Sequence, residues 1–457
     1  MVYFSVLLLL SFMETLLLDR SLGRVTPSRF SNIITENLYS EIYQLGKHNV
    51  FPTNCHDNAA VNSLSLETTD YQYLLSGSND SSIKLWDLKQ QEIVREENEI
   101  DANLHLHPST FDNFDYDNPV STYTNLATIP KRHHHKFGIS CIQWWPYDTG
   151  MFASSSFDHT VKIWDTNELM PVHTFDLSNK VYDIDICAEN ALIATANDQP
   201  FIRLLDLNTT SSAHTLSGHK GKTLVVKWHP INSNLLASGG YDGEVKIWDI
   251  RRSQSCLTQL DMSRTNDSSY TTKLSKAHSG PVNGLVWDPS GSILYSAGND
   301  DKIRVWDMVN VSTPPPINKL INFGPLIRNK HPHTIPLLLN PQGETEPQFL
   351  LFPSESGDVF IFRTIDGKLE NRLARKGSKN TGRTVSMCNG GPSTAKYFCG
   401  TIDGEIISWG PCLDKPDLSD LQQQDESDDN DNDINEKLLK QFQLDSRRKQ
   451  FLESIEN

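Results

Sequence analysis

Apolar and polar positions along this chain fall into one pattern that keeps returning. The clearest copies are LLSGSNDSSIKLWD (74–87), FASSSFDHTVKIWD (152–165), LASGGYDGEVKIWD (236–249) and LYSAGNDDKIRVWD (294–307). Each reads as a strand of apolar and small residues, a tight turn carrying Asp, and a second strand that ends in Trp-Asp. In the second strand, Ile83 and Leu85, Val161 and Ile163, and Val245 and Ile247 lie two apart, the period of a pleated strand. Weaker copies are LIATANDQPFIRLLD (192–206), LLFPSESGDVFIFRT (350–364) and YFCGTIDGEIISWG (397–410). Length alone, 457 residues, would suggest about three domains. Seven internal copies overrule that prior and predict one closed ring of four-stranded blades.

The four strong copies share further positions. A histidine precedes the turn Asp by 22 to 24 residues: His56 with Asp80, His135 with Asp158, His219 with Asp242, and His278 with Asp300. Ser76, Ser154, Ser238 and Ser296 stand four residues before these aspartates, and Trp86, Trp164, Trp248 and Trp306 six after. This resembles the WD40 family, which implies an all-β, seven-bladed propeller whose Asp, His, Ser and Trp form a hydrogen-bonded network inside a blade. The chemistry is consistent: a buried carboxylate needs donors, imidazole and hydroxyl can relay them, and an indole N–H needs an acceptor. These histidines and aspartates therefore read as structural, and no catalytic residue is assigned. The third copy, with an extra residue before Leu205-Asp206 and its turn placed at Asp198, and the sixth and seventh lack the full set. Their blades should rest more on apolar packing. In the WD40 family a segment such as 46–55 supplies the outer strand of the last blade. The propeller is accordingly expected over 46–411, complete from about residue 46 onward.

Upstream, Thr26 and Pro27 make a helix start. Phe30, Ile33, Ile34, Leu38, Ile42 and Leu45 then fall on one helical face, with Gly46 able to end it. Residues 1–45 thus predict a helical segment that could dock a partner, pack on the ring, or both. The run MVYFSVLLLLSFM lacks a cationic start and a cleavage site and is too short to span a bilayer. No secretion and no membrane are expected, and Met13 offers a second start. The spacing between Trp86 and Trp164, 78 residues, points to a long surface loop at about 90–134, rich in Asn, Asp, Ser and Thr. Residues 414–436 hold ten Asp or Glu, so 412–457 reads as an acidic, mostly disordered tail.

A net charge of −16 argues against a broad basic face for nucleic acid, although a local basic patch stays open. The seven cysteines are scattered without a C-x-x-C, which speaks against a disulfide framework or zinc module and for a reducing compartment. His133-His134-His135 is only a weak hint of metal, and no metal or cofactor is expected. There is no phosphate-cradling Gly loop, Gly-x-Ser-x-Gly or paired zinc motif, so no enzymatic role is expected.

A narrower resemblance rests on ISCIQWWPYDTGMFASSSFDHTVKIWDTNELMPVHTF (139–175), GHKGKTLVVKWHP (218–230), VKIWDIRRSQSCL (245–257) and AHSGPVNGL (277–285). Together with the odd third blade, these stretches resemble the family of the Cockayne syndrome group A protein. The resemblance covers about 14–411. It implies a nuclear substrate receptor of a cullin-4-type ubiquitin ligase in transcription-coupled nucleotide excision repair. The expected partners are a damaged-DNA-binding-type large adaptor, a Cockayne syndrome B type ATPase and stalled RNA polymerase II. Adaptor-binding propellers often carry Trp-Asp-x-Arg at a strand end, and here only Trp248-Asp249-Ile250-Arg251 fits. Lys89, Asn167 and Val309 take the Arg position elsewhere. The adaptor surface is therefore expected at Trp248, Asp249 and Arg251, with Phe30, Ile34, Leu38 and Ile42 of the helix. The alternative is a propeller scaffold in a chromatin or RNA-processing assembly, without ubiquitin.

Overall fold

A computed structural model describes residues 15–40, 42–44, 51–52, 55–94, 120–130, 132–252, 256–265, 276–311, 315–331, 333–374, 382–392 and 394–411. The acidic tail and Leu45–Val50 lie outside the described residues. Twenty-eight strands form seven four-stranded sheets. Blade 1 is β2 (Val61–Leu66), β3 (Tyr73–Ser78), β4 (Ile83–Val94) and β5 (Val120–Thr128); blade 2 is β6 (Ile139–Trp144), β7 (Met151–Ser156), β8 (Thr160–Asp165) and β9 (Met170–Asp176). Blade 3 is β10 (Val181–Cys187), β11 (Leu192–Asn197), β12 (Phe201–Asp206) and β13 (Ser211–Ser217). Blade 4 is β14 (Thr223–Trp228), β15 (Leu235–Gly240), β16 (Val245–Asp249) and β17 (Cys256–Gln259). Blade 5 is β18 (Val282–Trp287), β19 (Ile293–Gly298), β20 (Lys302–Asp307) and β21 (Ile317–Asn318); blade 6 is β22 (Leu338–Leu339), β23 (Phe349–Pro353), β24 (Val359–Arg363) and β25 (Leu369–Leu373). Blade 7 is β26 (Thr384–Asn389), β27 (Tyr397–Thr401), β28 (Ile406–Pro411) and, from the other end of the chain, β1 (Ile42–Gln44).

Burial explains the reading of each strand. The second strands β11 and β15 are buried at every residue, because neighbouring blades cover both faces. The outermost strands β9 and β13 expose at least every second residue. In six blades the first strand carries a register shift after its first residue, as at Val181/Asp183 and Thr223/Val225. A bulge there twists the strand and re-aims one side chain at the channel mouth.

The last blade corrects the sequence expectation. Its outer strand is Ile42–Gln44, paired antiparallel with β28 as Ile42–Pro411, Tyr43–Gly410 and Gln44–Trp409. The described residues of 46–55 form no strand. Phe51 is instead a plug between blades 1 and 7, with its ring 5.3 Å from Trp86, 4.8 Å from Tyr123 and 5.7 Å from Phe398. The helical segment ends earlier than predicted. A first helix, α1, covers 15–21, and α2 runs Pro27–Ser40. Thr26 caps α2 as expected, its Oγ1 accepting from Arg29 N at 3.4 Å. Ile42 is therefore no part of the helix stripe; it is a buried residue of β1. The insertion in blade 1 is not a loop over the whole of 90–134. β4 and β5 extend into its two ends, with Gln91–Tyr123 through Val94–Val120 in register; residues 95–119 lie outside the described residues.

The network forms in all four strong blades. In blade 2, Trp164 Nε1 donates to Ser154 Oγ (2.7 Å), which meets His135 Nε2 (2.7 Å), while His135 Nδ1 meets Asp158 (3.0 Å). Blade 4 repeats it with Trp248, Ser238, His219 and Asp242, and blade 5 with Trp306, Ser296, His278 and Asp300. In blade 1, Ser82 Oγ intervenes between His56 and Asp80 (2.8 and 2.6 Å). With Nδ1–H donating toward the carboxylate, Nε2 accepts from the serine and the serine accepts from the indole, so every buried group is used. Blade 3 substitutes leucine. By strand register Leu177 stands where His219 stands and Leu205 where Trp248 stands. The same register makes Asp198 the equivalent of Tyr241, with Gln199 at the turn-Asp position, so Asp198 is not a network member. It is exposed and accepts from Tyr182 OH at 2.9 Å.

Two predictions follow from this chemistry. Asp158→Ala should lower stability by roughly 1–3 kcal/mol, the cost of leaving buried partners unpaired. Asp198→Ala should stay within about 0.5 kcal/mol, as exposed substitutions do. Equal melting shifts for the two would contradict the assignment. Acid should unfold the ring in two stages. Burial holds His56, His135 and His278 below the usual imidazole range. The unfolded histidines take up protons near pH 6.5 while the folded ones stay neutral, so stability is full above about pH 6.5 and falls as pH drops below it. Hydrogen bonds from His219 hold the Asp242 carboxyl down at about 2, against its burial, so a second loss comes below about pH 4. A melting temperature that stays constant from pH 7 to pH 5 would refute the first stage.

Candidate recognition faces

The meander gives the ring two faces. Turns joining first to second and third to fourth strands lie on one; turns joining second to third strands, and the links between blades, lie on the other. The Trp-Asp strand ends therefore open on the first face, and the His–Asp pairs on the second.

On the first face, the Asp that follows the third-strand Trp or Leu caps the next bend, which ends the strand in blades 2 to 5 and is a bulge within β4 in blade 1. Asp87, Asp165, Asp206, Asp249 and Asp307 accept the backbone N–H two residues on, at 2.8, 2.8, 2.8, 3.0 and 3.1 Å. Blade 4 adds a side chain. Arg251 folds back as a fork, with Nε 3.0 Å from Asp249 Oδ1 and Nη2 2.9 Å from Oδ2. That bond holds the Asp249 carboxyl below the usual carboxylate range. The Asp249 side chain is 4 % exposed and that of Arg251 63 %. Trp248 is fully buried as a network member. Of the expected trio only Arg251 offers surface; Trp248 and Asp249 position it.

α2 delivers the chain onto this same face, because β1 starts opposite Pro411, the end of a third strand. Phe30, Ile34 and Leu38 are half-buried on it. The residue that fastens the helix was not on the predicted stripe. Tyr39 is fully buried between blades 6 and 7, its OH 2.5 Å from Glu344 Oε2 and 2.5 Å from Tyr397 OH, its ring 4.9 Å from that of Phe349. Asn371 Nδ2 donates to its carbonyl at 3.0 Å. Burial pushes the Tyr39 hydroxyl far above its ordinary range, so it stays protonated and donates to Glu344. Leu16 of α1 is buried, while Leu17 and Leu18 of α1 and Leu22 just after it are more than half exposed. Tyr147, also unpredicted, is 85 % exposed at the β6–β7 turn of this face, at φ +65°, a conformation bulky L-residues rarely adopt.

The first strands of the blades line a central channel of about 360 Å³. Its one strongly charged wall holds Lys227 Nζ 3.2 Å from Asp183 Oδ2. Neighbouring Asp185 is raised by burial and accepts from Gln143 Nε2 at 3.2 Å. Burial pushes the Cys141 thiol up to about 12 and Cys55 to about 11, which leaves them weak nucleophiles at neutral pH. His219, Asp242 and Glu244 lie close enough to share a cation. Lys246 already sits 2.7 Å and Lys220 3.5 Å from Glu244, so the cluster is neutralised from within the protein. His133 and His134 are not part of that group, and the His134 ring Nε2 meets Ile129 O at 2.5 Å. Among the described residues no helix is long and apolar enough to cross a membrane.

Comparison with known proteins agrees with this architecture. The family model "WD domain, G-beta repeat" matches residues 48–87, 125–165, 210–249 and 269–307. The chain is similar to WD repeat-containing protein ATCSA-1 of Arabidopsis thaliana, 27 % identical over 67 % of this chain and 77 % of that one. It is 29 % identical to Radiation-sensitive protein 28 of Saccharomyces cerevisiae over 59 % of this chain, and spans only 56 % of the yeast protein's length. Ribosome biogenesis protein ytm1 of Aspergillus niger is 27 % identical over 54 % of this chain and 52 % of its own. Seven four-stranded sheets, four of them built on the His–Ser–Trp–Asp network and matched by that model, make this chain a WD40-repeat protein folded as a seven-bladed β-propeller.

Proposed function

We propose that this propeller is a protein-recognition subunit, and that it serves as the nuclear substrate receptor of a cullin-4-type ubiquitin ligase in transcription-coupled nucleotide excision repair. The observation that carries this reading is the convergence on one face of the two elements an adaptor would need. Arg251 stands there in a fixed, exposed fork, and α1–α2 arrives there with Leu17, Leu18 and Leu22 facing water. Fixing the guanidinium on a buried carboxylate lowers the entropy lost when its free edge meets a partner. The similarity to ATCSA-1 and to a yeast protein named for radiation sensitivity supports the repair assignment. The Cockayne syndrome B type ATPase and stalled RNA polymerase II would then meet the opposite face.

The second reading, a scaffold in an RNA-processing assembly, draws on similarity to ribosome biogenesis proteins. Affinity purification separates them by the presence or absence of a large adaptor and a cullin. In that experiment Arg251→Ala should cut adaptor recovery by roughly tenfold, the value of a charge-assisted contact, at an unchanged melting temperature. Undiminished recovery would falsify the role of Arg251. Recovery of a ribosomal precursor assembly with no cullin would favour the scaffold.

A further inference from the structure

The second face has a built-in charge pattern at the channel mouth. Lys180, Lys222 and Arg383 occupy one equivalent place in blades 3, 4 and 7. Each immediately precedes its blade's first strand, and its carbonyl accepts an N–H from the turn after the second strand: Asp198 (3.1 Å), Tyr241 (2.9 Å) and Ile402 (2.9 Å). Ala60, Gly138 and Pro281 make the same bond in blades 1, 2 and 5. The place is thus cationic in three blades and acidic in none of these six.

The acids of this face are largely spent. Asp158, Asp242 and Asp300 face the network histidines, Asp198 holds Tyr182, and Glu355 accepts the backbone N–H groups of Lys330 and His331. Asp57, Asp80 and Asp403 remain as exposed counterweights. The cations are less well matched. Among the described residues no carboxylate or carbonyl accepts from the Arg383 guanidinium; it is half-buried, and burial pulls it below its usual range with only Glu355 opposing. Lys222 Nζ lies 5.2 Å from the ring centres of both Tyr182 and Tyr241, an aromatic setting that favours a desolvated cation. His333 is held down by burial and by the nearby charges of Arg383, His331 and Lys222, which places blades 4, 6 and 7 within electrostatic reach of one another across the mouth.

We propose that this mouth binds an acidic segment of a partner protein, with Lys222 and Arg383 pairing its carboxylates and Tyr241 packing against its backbone. A nucleic acid fits less well. Its affinity grows with the number of phosphates neutralised, and three mouth cations can neutralise few. This inference does not rest on the ligase reading.

The test uses the full chain and a fluorescent peptide of alternating Glu and Gly, about ten residues long, followed by anisotropy at low and at physiological salt. The peptide should bind, weaken as salt rises, and bind roughly tenfold less well to the double variant Lys222→Gln, Arg383→Gln. An uncharged peptide of alternating Gln and Gly should not bind. Arg383→Gln alone should melt at or above the temperature of the parent, since it removes a poorly compensated, half-buried charge. No binding at low salt, or equal affinity for parent and double variant, would overturn the proposal. So would an Arg383→Gln protein that melts lower while binding the peptide normally, which would make the arginine structural. Tighter binding of an oligothymidine, lost in the same double variant, would assign the mouth to nucleic acid and overturn it too.

Discussion

Everything in this molecule depends on one short strand pairing. A sheet edge exposes unpaired N–H and C=O groups and invites association, and a ring of blades leaves such an edge wherever the chain ends fail to meet. Here three residues, Ile42–Gln44, pair with β28 and complete the seventh blade from the opposite end of the chain. The pairing alone would be slight. It is reinforced by Tyr39 just before it, whose ring and hydroxyl are buried among Phe349, Glu344 and Tyr397 of blades 6 and 7. Closure therefore joins blade 7 to blade 6 and fixes where α2 leaves the ring.

Inside the ring, blades hold their shape in two ways. Four use the buried chain from indole through serine and imidazole to carboxylate. Such networks are strong when every group is satisfied and costly when one is missing. Blade 3 avoids the risk with Leu177 and Leu205 at the corresponding positions, and β11 is buried along its whole length without a histidine beneath it. The network also ties up the carboxylates of the second face. The charge presented at the channel mouth is then set by the residues ahead of the first strands, where Lys180, Lys222 and Arg383 lie.

The repeats were legible because each blade writes its own signature within about forty residues, and period-two alternation with Trp-Asp endings is hard to imitate by chance. What escaped was non-local or off by a residue. Ile42 follows Leu38 by four and so continues the helical stripe, although the chain has already turned into a strand. Tyr39 lies off that stripe, and its partners sit some three hundred residues away, so no local pattern could reveal it. Asp198 looked like the turn aspartate because the blade 3 turn places Gln199 there instead. Trp248 looked like surface by its place in Trp-Asp-Ile-Arg, yet its indole belongs to the core. The hairpin extension beyond Leu88 was hidden by Asn, Ser and Thr, which suit loops and exposed strands alike. The exposed strand end of blade 4 was legible only in part: Arg251 is displayed, while its two neighbours hold it in place.

The division of labour follows from topology. One face receives the helices and Arg251, the other presents the cationic mouth, and the closing strand fixes the first relative to the ring. The most direct test of that account is amide hydrogen exchange along β28 in the full chain and in chains lacking residues 1–22 or 1–45. Closure by β1 predicts that the amide facing Ile42–Gln44, at Trp409 or Gly410, stays protected when 1–22 is removed. It should lose protection, while amides facing β27 keep theirs, or the chain should fail to stay soluble, when 1–45 is removed. Full protection of that amide in the chain lacking 1–45 would contradict the account, because the ring would then be closed by something other than Ile42–Gln44.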